Sequence, residues 1–536
     1  MERPRGHAVP RAVHRAGLLA AVSALLLGAA LPDGRPAAAS PGYLSYLLVA
    51  DDDGPSGTAE ASAAAADAGG VLAHRYTEIG VILAYASDPD FARRAAAEPG
   101  IAKVGATRTV RTRSIPVIAA SADAGRSGTS GASAGEAGEA GATGAVGPVG
   151  GIPRPLDGAG TPGRVPMPVP VPAGLGGISD ERATRVPPAH VLPADDGGYP
   201  DPHERGAWFR TAVGADRTSV EALAAGTPAA SRPVVAVLDS GVDDTHPDLA
   251  AEVDPARSAS CETGAPDNSF GAWRPLSNYD DSGHGTHVAG IVAAARDGDG
   301  VAGIDPGARI AAVRLLGTAG QYYAENIVCG FVWAAEHGAR VVNSSYFADP
   351  WKYNCPGQPD QAAIIAAVGR AVAYAQRSGA VVVASAGNDG VDLRAPHEDD
   401  RSPNDHPAGT IPPVRQVGPE CIRLPGQLPG VLKATALDRD GRAASYSNDD
   451  GGPGTVAAPG GDPDAPPSQQ IVSSWPGGGY RALSGTSMSA AVVSGVSAVI
   501  AEQHPGLTGS RLRAAVLADT VTDPAGPAFG PLVHIP

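Results

Sequence analysis

The sequence predicts a large α/β domain with a mostly parallel central sheet, preceded by a small α+β unit. Between residues 205 and 525, short apolar runs rich in β-branched residues alternate with stretches of helical periodicity. This alternation is typical of a parallel sheet that helices cover on both faces, which gives three layers. Residues 43 to 112 show the order β-α-β-β-α-β, which is that of a ferredoxin-like unit.

Each element of these two regions is predicted from its apolar pattern. In the small unit, strands are predicted at 43–50, 71–76, 81–86 and 101–110, and helices at 59–68 and 89–98. In the large domain, strands are predicted at 233–239, 309–316, 340–345, 380–385 and 431–436, and helices at 284–295, 324–338, 361–379 and 487–502. Functional side chains are expected where the parallel strands end, because open α/β sheets place their sites at that edge.

The composition divides the chain into five segments. Residues 1–39 combine an arginine-rich start, an apolar run from 16 to 31 and three alanines at 37–39, which predicts a cleaved secretion signal. A membrane anchor is the alternative, but the apolar run is shorter than the ~20 residues of a spanning helix. The other segments are the small unit at 40–115, a Gly/Ala/Pro-rich linker at 116–204, the large domain at 205–525 and a tail at 526–536.

Charge and cysteine content limit the partners and the compartment. A net charge of −16 argues against a nucleic acid or an anionic membrane as the main partner. The cysteines are Cys261, Cys329, Cys355 and Cys421, and none forms a CxxC pair. Two disulfides in an oxidising compartment are therefore expected rather than zinc ligation, and three pairings are open. Four buried thiols are the alternative.

Three motifs at strand ends or helix starts carry the expected chemistry. Asp239 ends a buried apolar strand, His284 opens a helix rich in small residues, and Ser487 opens another such helix. A serine hydroxyl becomes a good nucleophile when a neighbouring imidazole accepts its proton. A buried carboxylate holds that imidazole in the required tautomer. The sequence therefore predicts nucleophilic catalysis by these three side chains.

The same motifs resemble the signatures of the subtilisin family of serine peptidases. They are Asp-Ser-Gly-Val-Asp at 239–243, His-Gly-Thr-His-Val-Ala-Gly at 284–290 and Gly-Thr-Ser-Met-Ser at 485–489. Their order along the chain, Asp, His and then Ser, also agrees with that family. The resemblance implies a subtilisin-like fold and a secreted endopeptidase that acts on proteins and peptides through an acyl-enzyme intermediate. It also implies that the small unit is an inhibitory propeptide removed by self-cleavage, near Arg113 or within the linker before Trp208.

Two further stretches extend the resemblance. Ala-Ser-Ala-Gly-Asn at 384–388 matches the strand end that carries the family's oxyanion-hole asparagine, which maps onto Asn388. Val-Val-Asn-Ser-Ser at 341–345 matches the strand that pairs with an extended substrate. The residues implied to contact the acyl side of the substrate, named here the acyl pocket, are Ser344, Ser345, Tyr346, Ser385, Ala386 and Gly387.

The chain also departs from the family's pattern. Ala491 replaces the usual proline after the serine motif, and Tyr346 and Phe347 stand where small residues are common. These bulky rings are expected to narrow the acyl pocket, so no preferred side chain is predicted for it. Residues 389–427 form a long insertion rich in Pro and Asp, which is expected near the substrate cleft.

No cofactor is predicted for the chemistry, but a structural calcium ion is considered. Asp248 and Asp297 fall where the family often binds calcium, and carboxylates with turn carbonyls suit this cation. A solvated acidic turn is the alternative. Two other functions remain open as well: an inactive binding protein on this fold, and an esterase, although esterases usually show Gly-x-Ser-x-Gly and a different triad order.

Overall fold

The computed structural model describes residues 42–116 and 201–536, apart from residues 217, 278–279, 319, 407–409 and 522–524. The predicted signal segment and nearly all of the predicted linker lie outside the described residues. In the described part of the chain, no helix is long and apolar enough to cross a membrane.

The small unit is a four-stranded antiparallel sheet with two helices. Its elements are β1 (Leu44–Ala50), α1 (Pro55–Asp67), β2 (Val71–Tyr76), β3 (Val81–Ala86), α2 (Phe91–Ala95) and β4 (Ile101–Ala106). The strand order β2-β3-β1-β4 confirms the predicted ferredoxin-like topology. The second helix and the last strand are shorter than predicted, whereas β2 and β3 have the predicted bounds.

The large domain is built on a nine-stranded sheet with two separate hairpins. Its strands are β5 (Val234–Asp239), β6 (Ala259–Ser260), β7 (Arg309–Arg314), β8 (Val341–Ser344), β9 (Val381–Ser385), β10 (His397–Asp399), β11 (Arg415–Val417), β12 (Leu432–Leu437), β13 (Thr455–Pro459), β14 (Ile471–Trp475), β15 (Gly479–Leu483), β16 (Thr520–Val521) and β17 (Leu532–Val533). The sheet order is β16-β17-β13-β12-β9-β8-β5-β7-β6, and all neighbours are parallel except β16 and β17. The hairpins are β10–β11 and β14–β15.

Helices cover both faces of this sheet and complete the three predicted layers. They are α3 (Trp208–Ala212), α4 (Thr218–Gly226), α5 (His284–Ala293), α6 (Ala324–Glu336), α7 (Pro359–Arg377), α8 (Thr486–Gln503) and α9 (Gly509–Ala518). On β5, Ala236 and Leu238 join the core formed with α6 and α7. Val235 and Val237 between them join the core formed with α5 and α8, as the two-residue period of a strand requires.

The small unit docks on α6 and α7 through the sheet face that its own helices leave open. On β1, Leu48 packs on α1, whereas Leu47 and Val49 belong to the same apolar core as α7. Arg370 of α7 donates to the carbonyl oxygens of Ala50 at 2.6 Å and Ile79 at 3.0 Å. Apolar burial and these backbone contacts therefore join the two regions into one body.

A buried ion pair lies at this junction. Glu325 of α6 is fully buried and accepts hydrogen bonds from Arg108 Nη2 at 2.7 Å and from Ser45 Oγ at 3.1 Å. The guanidinium of Arg108 also lies 4.1 Å from the centre of the Tyr323 ring. Because a buried charge is costly when it is unpaired, Glu325 depends on the small unit for its partner.

All four cysteines are paired, which confirms the two predicted disulfides. Cys261 pairs with Cys329, and Cys355 pairs with Cys421. The first bridge joins the segment after β6 to α6, and the second joins the segment before α7 to the insertion at 389–427. Of the three pairings that the sequence left open, the fold selects this one.

We expect the Cys355–Cys421 bridge to stabilise the insertion and the chain as a whole. The bridge closes a loop with a sequence separation of 66 residues, so a double serine variant should lose about 2–4 kcal/mol of unfolding free energy. Denaturant unfolding should be measured in a Ser487→Ala background to prevent self-digestion. The Cys261→Ser/Cys329→Ser variant lacks the other bridge, whose sequence separation is 68 residues, and should lose a similar unfolding free energy. Free thiols in the unreduced parent chain would contradict the assignment.

Candidate active site

The end of β5 and the start of α5 bring a carboxylate and an imidazole into contact. Nδ1 of His284 lies 2.7 Å from Oδ1 of Asp239, and the two residues are 2% and 1% exposed. A carboxylate oxygen only accepts hydrogen bonds, so Nδ1 carries the proton and donates it. The neutral ring then has its lone pair on Nε2, as a general base requires.

Ser240 fixes the relative position of these two elements. Its backbone N–H donates to Oδ1 of Asp239 at 2.6 Å, and its hydroxyl accepts from the N–H of Gly285 at 3.0 Å. The same hydroxyl donates to the carbonyl oxygen of Ser282 at 2.8 Å. A Cβ on Gly285 would come within 3.0 Å of the Asp239 Cβ, so only glycine allows this close approach. The sequence analysis did not identify Ser240, although its place directly after Asp239 was a signal.

Ser487 lies in the first turn of α8 and next to the end of β8. Its hydroxyl lies 3.4 Å from the carbonyl oxygen of Ser345, and Ser345 Oγ donates to the carbonyl oxygen of Ser487 at 3.2 Å. Ser345 directly follows β8, where Ser344 is in register with Leu238 of β5. The fold therefore brings Asp239 and His284 into direct contact and places Ser487 at the end of the neighbouring strand.

Thr486 orients the side chain of Asn388. Oδ1 of Asn388 accepts from the Thr486 backbone N–H at 2.9 Å and from the Thr486 hydroxyl at 2.8 Å. Because a backbone N–H can only donate, the amide oxygen must face Thr486 and Nδ2 must point away from it. The same hydroxyl accepts from the N–H of Gly387 at 3.1 Å. Thr486 was not identified as a functional residue from the sequence.

The start of α8 suits the stabilisation of negative charge beside Ser487. The helix is 18 residues long, and Ser487 lies in its first turn, where backbone N–H groups have no acceptor within the helix. The positive end of the helix dipole adds to this field. Nδ2 of Asn388 and the N–H of Ser487 are the two donors that the sequence predicts for an oxyanion.

The six residues of the acyl pocket lie at the carboxyl ends of the paired strands β8 and β9 and directly after them. The ring of Tyr346 stacks on Tyr322 at 5.1 Å within the apolar core, and its hydroxyl donates to Ser344 Oγ at 3.3 Å. Phe347 is also buried, and the guanidinium of Arg423 lies 4.9 Å from the centre of its ring. Narrowing of the pocket by Tyr346 and Phe347 stays a prediction. Substrate contact by these six residues stays a prediction.

The insertion at 389–427 is anchored beside Asn388 by a buried ion pair. Asp389 pairs with the ammonium group of Lys352 and accepts from Tyr353 Oη at 2.9 Å. Burial raises the pKa of Asp389, but the charges of Lys352 and Arg423 outweigh this effect and bring it to about 2. Asn448, after β12, accepts from the Asp389 N–H at 2.9 Å. Asp389 is therefore ionised at neutral pH.

His287 has a structural role, as interpreted from the sequence. Burial and the nearby His284 lower the pKa of His287 to about 3, so its ring is neutral. Its Nε2 lies 3.2 Å from the carbonyl oxygen of Ile471 and 3.1 Å from that of Arg481. The residue thereby holds the β14–β15 hairpin against α5.

The two predicted calcium ligands have different surroundings. Asp248 is buried and accepts hydrogen bonds from Ser474 Oγ at 2.9 Å, Tyr480 Oη at 3.0 Å and the Val301 N–H at 3.3 Å. Asp297 is exposed. Within the described ranges, no group of three or more His, Cys, Asp or Glu side chains is placed to hold a metal ion. Protein donors contact both carboxylate oxygens of Asp248, and calcium binding by Asp248 and Asp297 stays a prediction.

The sequence of the large domain is similar to the sequences of known proteins. Fervidolysin of Fervidobacterium pennivorans is 32% identical over 303 residues, which are 52% of this chain and 36% of fervidolysin. Subtilisin Savinase of Lederbergia lenta is 31% identical over 279 residues, which are 52% of this chain and 80% of Savinase. The chain thus spans less than two thirds of the first of these relatives.

A solved structure and a family model extend the comparison. The epidermin leader peptide processing serine protease EpiP of Staphylococcus aureus aligns with a TM-score of 0.58 at 16% identity, covering 92% of this chain and 97% of EpiP. At that identity the likeness concerns the fold. The sequence model of the Subtilase family matches residues 230–529, which are more than half of the chain. The chain therefore belongs to the subtilase family.

Proposed function

We propose that this protein is a secreted serine endopeptidase made as a self-processed preproenzyme. The observation that carries the proposal is the buried contact between Asp239 and His284, with Ser487 at the end of the neighbouring strand. In this proposal residues 1–39 are the signal peptide, residues 40–115 the propeptide and residues 205–525 the peptidase domain. Membership of the subtilase family and the relatives named as proteases support the activity.

The reaction follows from the roles of four side chains. Ser487 Oγ attacks the scissile carbonyl carbon, and Nε2 of His284 accepts its proton. Asp239 stabilises the resulting imidazolium, while Nδ2 of Asn388 and the Ser487 N–H bind the oxyanion. The imidazolium then donates its proton to the leaving amine, which gives an acyl-enzyme. A water molecule, deprotonated by the same imidazole, hydrolyses the acyl-enzyme and restores the serine.

The small unit is the propeptide and an intramolecular inhibitor in this proposal. Its docking on α6 and α7, the contacts of Arg370 and the buried pair of Arg108 and Glu325 support a specific complex. The backbone N–H and hydroxyl of Thr109 also donate to the carboxylate of Asp405, which lies within the insertion. Arg108 and Thr109 therefore hold the segment after β4 on the peptidase domain.

Replacing Ser487 by alanine tests the nucleophile and self-processing together. A chain starting at residue 40 should lose its N-terminal region and digest casein, whereas its Ser487→Ala variant should stay full length. The kcat for casein digestion should fall on the order of 10⁶-fold, the loss known for the same change in subtilisin. Intact mass and a fluorogenic casein assay provide the readouts. Equal digestion by both chains would exclude Ser487 as the nucleophile.

Asn388 and Thr486 should affect the turnover number more than KM. Asn388→Ala removes one oxyanion donor and should lower kcat by about 10²–10³-fold, the magnitude known for subtilisin. Thr486→Val removes the hydroxyl bond that orients Asn388 and should lower kcat by about tenfold, as one lost hydrogen bond predicts. Thr486→Ser keeps the hydroxyl and is the matched control. A change confined to KM would show that these residues do not act in the transition state.

Breaking the buried pair of Arg108 and Glu325 should release the propeptide. Arg108→Met leaves Glu325 buried without its cation, which costs about 3–5 kcal/mol of docking energy. After self-cleavage, size-exclusion chromatography should show a larger fraction of the Arg108→Met fragment eluting apart from the peptidase domain than of the parent fragment. The double variant Arg108→Met/Glu325→Leu removes both charges and should restore association. Unchanged retention of the fragment in Arg108→Met would contradict this role of the ion pair.

A further inference from the structure

A cavity of about 450 Å³ lies beside Asn388 at the carboxyl edge of the sheet. Its wall includes Asn388 and Ser484, which lies three residues before Ser487. Tyr446 from the segment after β12 and Asp464 from the segment after β13 also contribute. The cavity is therefore adjacent to the proposed oxyanion donor and to the nucleophile.

The position of the cavity indicates which half of a substrate it receives. None of the six residues of the acyl pocket lines it. The acyl pocket follows β8 and β9, whereas β12 and β13 lie on the side of β9 away from β8. A peptide whose acyl half occupies the acyl pocket continues beyond Ser487 on the other side. Because Asn388 and Ser484 line the cavity, the substrate residues nearest to it are those that directly follow the scissile bond.

The lining of the cavity is acidic. Four carboxylates contribute to it, those of Asp389, Glu398, Asp400 and Asp464. Asp389 is balanced by Lys352, and Asp400 lies 4.0 Å from Arg401, which also lines the cavity. Glu398 accepts a hydrogen bond from the neutral Gln416 at 2.9 Å. Among the residues that the structure describes, neither Glu398 nor Asp464 forms an ion pair, so the cavity carries net negative charge.

Ser484 supplies a second, independent indication of a ligand. The residue is only 5% exposed, and within the described part of the chain its hydroxyl has no hydrogen-bond partner. A buried polar group without a partner costs free energy, which a bound peptide group can recover. Tyr446 and Val391 add apolar surface to the same wall, against which the stem of a long side chain can pack.

We propose that this cavity binds an arginine or lysine side chain of the substrate, located one or two residues after the scissile bond. The inference rests on the proposed endopeptidase function and adds a substrate preference to it. Glu398 and Asp464 attract the cationic head through charge-assisted hydrogen bonds. The side chain of Glu398 belongs to the insertion at 389–427, so the preference derives partly from the segment that departs from the family's pattern.

Matched peptides test the preference. A quenched fluorescent peptide that the enzyme cleaves is prepared with lysine, alanine or glutamate at both of the first two positions after the mapped scissile bond. The lysine peptide should exceed the glutamate peptide in kcat/KM by at least about fivefold, as two partly exposed charge contacts predict. The ratio of the two kcat/KM values should fall towards one as salt is raised from about 0.02 to about 0.5 M, because salt screens solvent-exposed charges.

Two variants locate the effect in the cavity. Glu398→Gln/Asp464→Asn should lower the lysine-to-glutamate ratio to within about twofold of one. Asp440→Asn removes an exposed carboxylate outside the cavity and should keep the ratio of the parent enzyme. Equal rates for the three peptides, or a preference that persists in the double variant, would overturn this inference alone. Cleavage of none of the peptides would overturn the proposed function and this inference with it.

Discussion

The contact between Asp239 and His284 is the constraint on which the rest of the site depends. A buried carboxylate is stable only when donors surround it, and here the imidazole and the Ser240 backbone N–H both donate to it. This geometry requires β5 to end at the same sheet edge as β8, and it requires α5 to start within reach of β5. The absence of a side chain at Gly285 makes that reach short enough.

The proposed oxyanion donors depend on a second rigid connection. Thr486 bonds through its backbone N–H and its hydroxyl, and in this way it ties the start of α8 to the segment after β9. These hydrogen bonds fix the distance between Asn388 and the start of α8, although the two are far apart in sequence. Such preorganisation lowers the reorganisation that accompanies charge development in the transition state. Asp389 of the insertion directly follows Asn388, and its ion pair with Lys352 anchors this side of the site.

The sequence predicted the elements with strong local signals and missed those set by tertiary contacts. The continuous β-branched runs of β5, β8 and β9 allowed their carboxyl ends, and hence Asp239 and Asn388, to be placed correctly. Strand β13 and the β14–β15 hairpin were missed because glycine and proline interrupt their patterns. No local pattern indicates the ion pair of Lys352 with Asp389, which are far apart in sequence, or the inward turn of the Tyr346 ring. The cysteine pairing likewise follows from the fold alone.

The sheet of the small unit has a consequence for the stability of this unit after the proposed cleavage. Leu47, Val49 and Leu83 point away from α1 and α2, and they are buried because α6 and α7 of the large domain cover them. A unit of this size buries little apolar surface, and without that cover it loses one of its two cores. Dissociation therefore favours unfolding of the fragment, and an unfolded chain is readily digested by a nearby endopeptidase. Under the proposed self-processing, digestion of the freed small unit makes its release from the large domain irreversible.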